Sequence, residues 1–314
     1  MPLDPTTSEA LTKARIAFTE DFPLWKRTWW RCGGPADAYA SIRTIDELKR
    51  VQTIAHRTGC PVFVMGNASN LLIGDRGIRG LVLRLSGELA TSTATADDPP
   101  RLTLGAGLNL MVLVSRMRKQ GWTGLEMVAG IPGTVGGAIR MNAGTALGEV
   151  SDALVSVDLV HRDGRLETVS ADALNMAYRH AEVPAGAVVA SAVFQTTGGP
   201  PEVSVEHIDH HLAYRARTQP VDVPTCGSTF RNPPGDTAGR LIDHCGLKGQ
   251  SLGGAQVSVK HANFIVNTGS ATPWDIRCLI ERVQTVVEAQ TGIALHREVH
   301  LAGEWSPRPA DGSH

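Results

Sequence analysis

The sequence predicts an α+β fold of two or three domains, since 314 residues exceed one average domain and helical and strand-like periods alternate irregularly along them. Thr44-Ile45-Asp46-Glu47 is a capping box, after which Leu48, Val51, Ile54 and Ala55 recur at helical spacing until Gly59. Residues 61–65 read as a buried strand with a polar tip at its carboxyl end, and residues 80–85 as the next strand, which gives a small α/β unit. A strand at 101–106 leads into a helix at 110–120 that Gly121 closes. Strands at 153–160, 166–169 and 187–194, with a helix beginning near Ser170, make an α+β second unit. Gly198-Gly199-Pro200-Pro201 can continue neither a helix nor a central strand, so the chain changes domain there. Beyond it Thr272 caps, Pro273 takes the first helical position, and Ile276, Leu279, Ile280, Val283 and Val287 line one face up to Gly292. Alternation over 293–301 reads as an edge strand, and the polar tail 306–314 is expected to fray.

Composition narrows the function. Thirty basic side chains stand against thirty-one acidic ones, so nothing marks a nucleic-acid surface. The longest mainly apolar run, 185–194, is too short to cross a bilayer, and the first twenty residues lack a signal-peptide core. No membrane or nucleic-acid partner, a small-molecule ligand and a cytoplasmic location are the expectations. Five cysteines, an odd number without a CxxC pair, argue against a disulfide framework or a zinc site, and Cys226 is read as structural.

Between Gly130 and Gly148 the chain reads GIPGTVGGAIRMNAGTALG. Glycine lets successive backbone N–H groups converge on an anion, although tight turns between strands would use it as well. A second loop, Gly66-Asn67-Ala68-Ser69-Asn70, tips the reading towards phosphate: two such loops could hold the two phosphates of a dinucleotide. Neither GxGxxG nor GxxxxGK[ST] occurs, so neither a Rossmann fold nor a P-loop is supported.

Eight segments carry a resemblance: RCGGPAD (31–37), GNASNLLIGDRGIRG (66–80), GIPGTVGGAIRMNAG (130–144), Tyr178-Arg179, Gln219-Pro220, GSTFRNPPG (227–235), VKHANFIVN (259–267) and REVH (297–300). In this order they resemble the UDP-N-acetylenolpyruvoylglucosamine reductases, flavoproteins of peptidoglycan precursor synthesis, over nearly the whole chain. The resemblance implies a two-part FAD-binding region of the PCMH type, an α/β part at 20–82 and an α+β part at 83–197. An α+β substrate-binding domain at 202–305 follows, its last strand free to return to the FAD-binding region. It implies a monomer that passes hydride from NADPH through FAD to the enolpyruvyl group of a UDP-sugar.

Three residues match the family's catalytic positions: Arg179, facing the substrate carboxylate; Ser228, donating a proton to carbon; and Glu298, beside the substrate. Read alone, Arg179 would cap a helix C-terminus, Ser228 would bond to its own turn, and Glu298 would be a solvated edge-strand glutamate. Further matches put Gly66, Asn67, Ala68, Ser69 and Asn70, then Gly130, Ile131, Pro132, Gly133, Thr134, Gly136, Gly137, Ala138 and Asn142, on FAD. Gln219, Asn232 and His261 fall on the nucleotide-sugar. Ala68 stands where glycine is common, His300 where a basic arginine or lysine is, and Thr218 where a lysine is; the space between Arg179 and Ala187 leaves no room for one subclass's tyrosine loop. A sugar-alcohol oxidase of the same architecture is the alternative, but no histidine adjoins either glycine loop to hold a covalent flavin. His207, His210 and His211 near Glu206 and Asp209 fit a solvated helix face, and no metal is expected.

Overall fold

The computed structural model describes residues 2–308. Contacts divide the chain into two compact units, each discontinuous in sequence: one from residues 1–20, 38–67 and 80–213, the other from 21–37, 68–79 and 214–314. Each has its own apolar core.

In the first unit the helix Ile45–Thr58 starts at Thr44, whose hydroxyl accepts from Glu47 N, and stops at Gly59 in the left-handed conformation, as the sequence predicts. Its buried stripe, Leu48, Val51 and Ala55, joins a core with Leu81, Leu83, Leu102, Leu104, Leu113 and Val157. A five-stranded antiparallel sheet runs in the order Leu166–Ser170, Leu154–Val160, Val188–Gln195, Arg101–Gly105, Ser92–Ala94. Leu110–Gln120 is a helix between an Asn109 cap and Gly121.

Two expectations fail here. Val62–Val64 pairs in parallel with Ile78–Leu85, but at the edge of its sheet, and its residues are half-buried or exposed. An apolar run of this length does not distinguish a central strand from an edge strand. The helix expected from Ser170 is a single 3-10 turn, Ala171–Leu174, ended by Asn175 at φ +41°. Asparagine tolerates this left-handed conformation, which halts a helix before it can reach residue 179.

The second unit packs the helix Pro273–Thr291 over an antiparallel sheet of Ser251–Leu252, Ala255–Val257 and Ile265–Asn267. The helix stripe read from sequence is the buried one: Ile276, Leu279, Ile280, Val283 and Val287 are almost fully covered and meet Trp30, Phe230 and Leu241. Burying each such side chain contributes about 1.5–3 kcal/mol. Thr272 and Asp275 form a reciprocal capping box, and the Asp275 carboxylate also accepts from Gly254 N at 3.3 Å. The strand expected over 293–301 is regular only at its end, where His300–Ala302 pairs in parallel with Leu71–Ile73.

The tail does not simply fray. Ser306 N donates to Asp75 at 3.1 Å, Trp274 Nε1 donates to Ser306 Oγ at 3.1 Å, and Arg308 pairs with Glu281 at 3.0 Å. The Arg277 guanidinium lies 4.8 Å from the Trp274 ring and 4.7 Å from the Trp305 ring. From residue 309 on, the expected fraying lies outside the described residues. Among the described residues no helix is long and apolar enough to cross a membrane.

Candidate active site

Gly66 and Asn67, the part of their loop that lies in the first unit, meet the second glycine loop there. Asn67 Nδ2 donates to the carbonyls of Pro132 at 3.1 Å and Gly133 at 3.2 Å, while its Oδ1 accepts from Arg84 at 3.3 Å. A Cβ at Gly66 would stand 2.6 Å from Thr134 Oγ1, so the approach requires glycine. Thr134 in turn caps the short helix Val135–Arg140, which contains Gly136, Gly137 and Ala138. Among the described residues no oxygen accepts from the backbone N–H of Asn67, Gly133 or Thr134. Backbone donors left open beside glycine fit the phosphates of a dinucleotide cofactor. Ala68 is buried at φ +51°, a conformation that costs an alanine about 1–2 kcal/mol.

Arg179 belongs to the same unit but caps no helix. It sits at φ +57° in a turn closed by reciprocal Ala177–His180 backbone bonds of 3.0 and 2.9 Å. Its Nη2 donates to Gly144 O at 3.1 Å, its Nη1 lies 3.7 Å from Glu149 Oε1, and the guanidinium carbon lies 4.8 Å from the Tyr178 ring centroid. Asn142, at φ +38°, donates to Glu149 Oε2 at 2.9 Å and to Ala177 O at 3.1 Å.

Ser228 and Glu298 come together in the second unit. Buried Asn263 clamps the GSTF segment: its carbonyl accepts from Thr229 N at 2.8 Å, its Oδ1 from Phe230 N at 2.9 Å, and its Nδ2 donates to Phe230 O at 2.8 Å. On the other side Glu298 N donates to Thr229 O at 2.8 Å and Arg231 N to His296 O at 2.9 Å. The two extended segments thus run side by side, with Ser228 one residue from the Thr229–Glu298 bond. Asn70 adds a third strand of contact, its Nδ2 donating to Glu298 O at 3.1 Å. Ser228 is half-buried, and its hydroxyl has no partner among the described residues.

Asn232 and His261 flank the start of the helix Ala238–His244. Asn232 Oδ1 accepts from Ala238 N at 3.0 Å, and a Cβ at Gly239 would stand 3.1 Å from His261 Cε1. His261 Nδ1 accepts from Asn263 N at 3.2 Å, and burial, helped by the positive charge of Lys248, pushes its pKa below the ordinary 6.5. Gln219 follows the helix Pro201–Thr218, and its buried Oε1 meets no described group. Sequence reasoning missed Thr229 and Arg231, whose buried Oγ1 and Nε also lack partners, although both stand inside the GSTFRNP motif. It also missed Asn263, in the VKHANF motif, and Glu149, which no motif or period singles out. Burial pushes the Cys226 thiol well above its ordinary range, consistent with an inert core residue. His207 and His210 are exposed on their helix, Asp209 pairs with Arg118, and no metal-holding cluster occurs among the described residues.

Residues 36–170 match the FAD binding domain family and residues 219–302 the UDP-N-acetylenolpyruvoylglucosamine reductase C-terminal domain. Together with the open donors between the glycine loops, these matches define the class: an FAD-dependent oxidoreductase. The chain is 40% identical to the UDP-N-acetylenolpyruvoylglucosamine reductase of Agathobacter rectalis, over 93% of this chain and 96% of that one. Identity to the reductase of Myxococcus xanthus is 43%, over 90% and 91%. The crystal structure of the Thermus caldophilus reductase superposes with a TM-score of 0.78 at 37% identity, covering 91% of this chain and 98% of that chain. The chain belongs to the UDP-N-acetylenolpyruvoylglucosamine reductase family.

Proposed function

We propose that the protein reduces the enolpyruvyl group of UDP-N-acetylenolpyruvoylglucosamine to give UDP-N-acetylmuramate, in the cytoplasm, as a monomer and at the expense of NADPH. Bound FAD would supply the hydride-transfer chemistry that links NADPH to the alkene. Residues 20–82 and 83–197 are the two parts that hold FAD, through the 66–70 and 130–138 loops and Asn142, and residues 202–305 bind substrate through Gln219, Asn232 and His261. Arg179 holds the substrate carboxylate, towards which electrons move as hydride adds to the double bond. Planar guanidinium suits this task, and a preorganised donor to developing charge is worth about 2.7–4 kcal/mol. Glu298 shares the carboxylate's site. Ser228 gives its proton to the adjacent carbon, so that one hydride and one proton saturate the alkene.

The observation that carries this reading is the Thr229–Glu298 backbone pairing, which sets an unpartnered serine hydroxyl beside the glutamate segment. Protein reduced anaerobically with NADPH should regain its yellow absorbance on mixing with the enolpyruvyl nucleotide-sugar. Bleached protein that stays bleached would refute the reading. A covalently flavinylated oxidase would instead recolour with oxygen alone and keep its flavin after denaturation.

A further inference from the structure

We propose that Glu149 is a positioning residue for Arg179: its carboxylate sets the guanidinium in the orientation that receives the substrate carboxylate. The proposal rests on the reading of Arg179 given above. Glu149 lies in the short strand Gly148–Glu149, which pairs antiparallel with Gly144–Thr145, Gly144 opposite Glu149. Arg179 holds both strands of this hairpin, one through the Gly144 carbonyl at 3.1 Å and the other through the Glu149 carboxylate at 3.7 Å.

The carboxylate is itself fixed. Its Oε2 accepts from Asn142 Nδ2 at 2.9 Å, and its backbone is held as well, Glu149 N donating to Asp152 Oδ2 at 2.8 Å. Asn142 is almost fully buried; its Oδ1 accepts from Ser151 N at 3.0 Å and its Nδ2 donates again, to Ala177 O at 3.1 Å, in the turn that carries Arg179. Two non-glycine residues in the left-handed region, Asn142 and Arg179, therefore converge on one carboxylate. Such backbone conformations persist where the surroundings over-determine them, commonly at functional sites. The Glu149 side chain reaches both the Asn142 amide and the guanidinium. An arginine with many rotamers is held in one of them before substrate arrives, which reduces the reorganisation needed during the reaction.

Glu149→Gln keeps the shape and an oxygen that can accept from Asn142 but removes the charge that orients Arg179. Reoxidation of the reduced protein by enolpyruvyl substrate should slow by about tenfold or more, while flavin reduction by NADPH is unchanged. The KM for substrate should not rise, since the site gains net positive charge. A Glu149→Gln, Arg179→Gln double variant should be no slower than Arg179→Gln alone. Relaxation of the ¹⁵N-labelled Arg179 Nε–H, independent of turnover, should report greater mobility in Glu149→Gln than in the parent. Unchanged Arg179 mobility, parental reoxidation rates, or effects that multiply in the double variant would each overturn the proposal. Should the parent protein itself fail to be reoxidised by substrate, the reading of the reaction falls, and the mobility measurement alone decides the role of Glu149.

Discussion

Individual residues carry the sharpest expectations. Ser228→Ala should leave flavin reduction by NADPH largely intact and slow reoxidation by enolpyruvyl substrate by at least about 10²-fold, because general acid assistance is typically worth that much. Stopped-flow traces of equal reoxidation in both proteins would remove the serine from the chemistry. His261 makes a pH prediction. Its folded pKa lies below the ordinary 6.5 through burial, so the unfolded chain binds the proton more readily than the folded one. Stability is therefore full above that value and declines as the pH falls through it. Between about pH 7.5 and 5.5 the melting temperature of His261→Gln should fall less than that of the parent. Ser228, Glu298 and His261 can be proposed from sequence because each lies in a linear motif. Glu149 cannot: its connection to Arg179 passes through a two-residue hairpin and a left-handed turn, neither of which leaves a period in the sequence.

Elements were read best where capping and periodicity agreed. Thr272, Pro273 and Gly292 bound the helix Pro273–Thr291 in the structure as they do in the sequence. What the sequence hid is the second duty of Asp275, which also accepts from Gly254 N in a buried site. Thr272→Ala should cost about 1 kcal/mol, the usual worth of a cap. Asp275→Ala should cost about 2–3 kcal/mol, because it strands backbone donors away from water. Equal denaturant midpoints for the two variants would deny Asp275 that role. The misread elements share a cause. Val62–Val64 and the 171–174 turn are short, and for short segments the neighbouring strand or a single left-handed residue decides the outcome.

For the whole molecule, flavin is the natural probe. A ligand that binds only the folded chain at 100 times its Kd adds about 2.7 kcal/mol of stability, so saturating FAD should raise the melting temperature of flavin-free protein by about 5 °C. Scanning fluorimetry with and without FAD tests this, and identical transitions would speak against a cofactor site. The α+β class was legible from alternating periods. Interleaved units were not, since the chain leaves the first at residue 20 and again at 67, within strands or polar loops that carry no boundary signal.

The anchoring of residues 305–308 bears on how the protein can be handled. Trp305 stacks on Arg277, Ser306 is tied to Asp75 and Trp274, and the ribbon His300–Ala302 immediately before them pairs beside the Asn70 loop. A protease nick or a purification handle placed before residue 305 would loosen that ribbon and, two residues upstream of it, the glutamate segment; appended sequence belongs beyond residue 308.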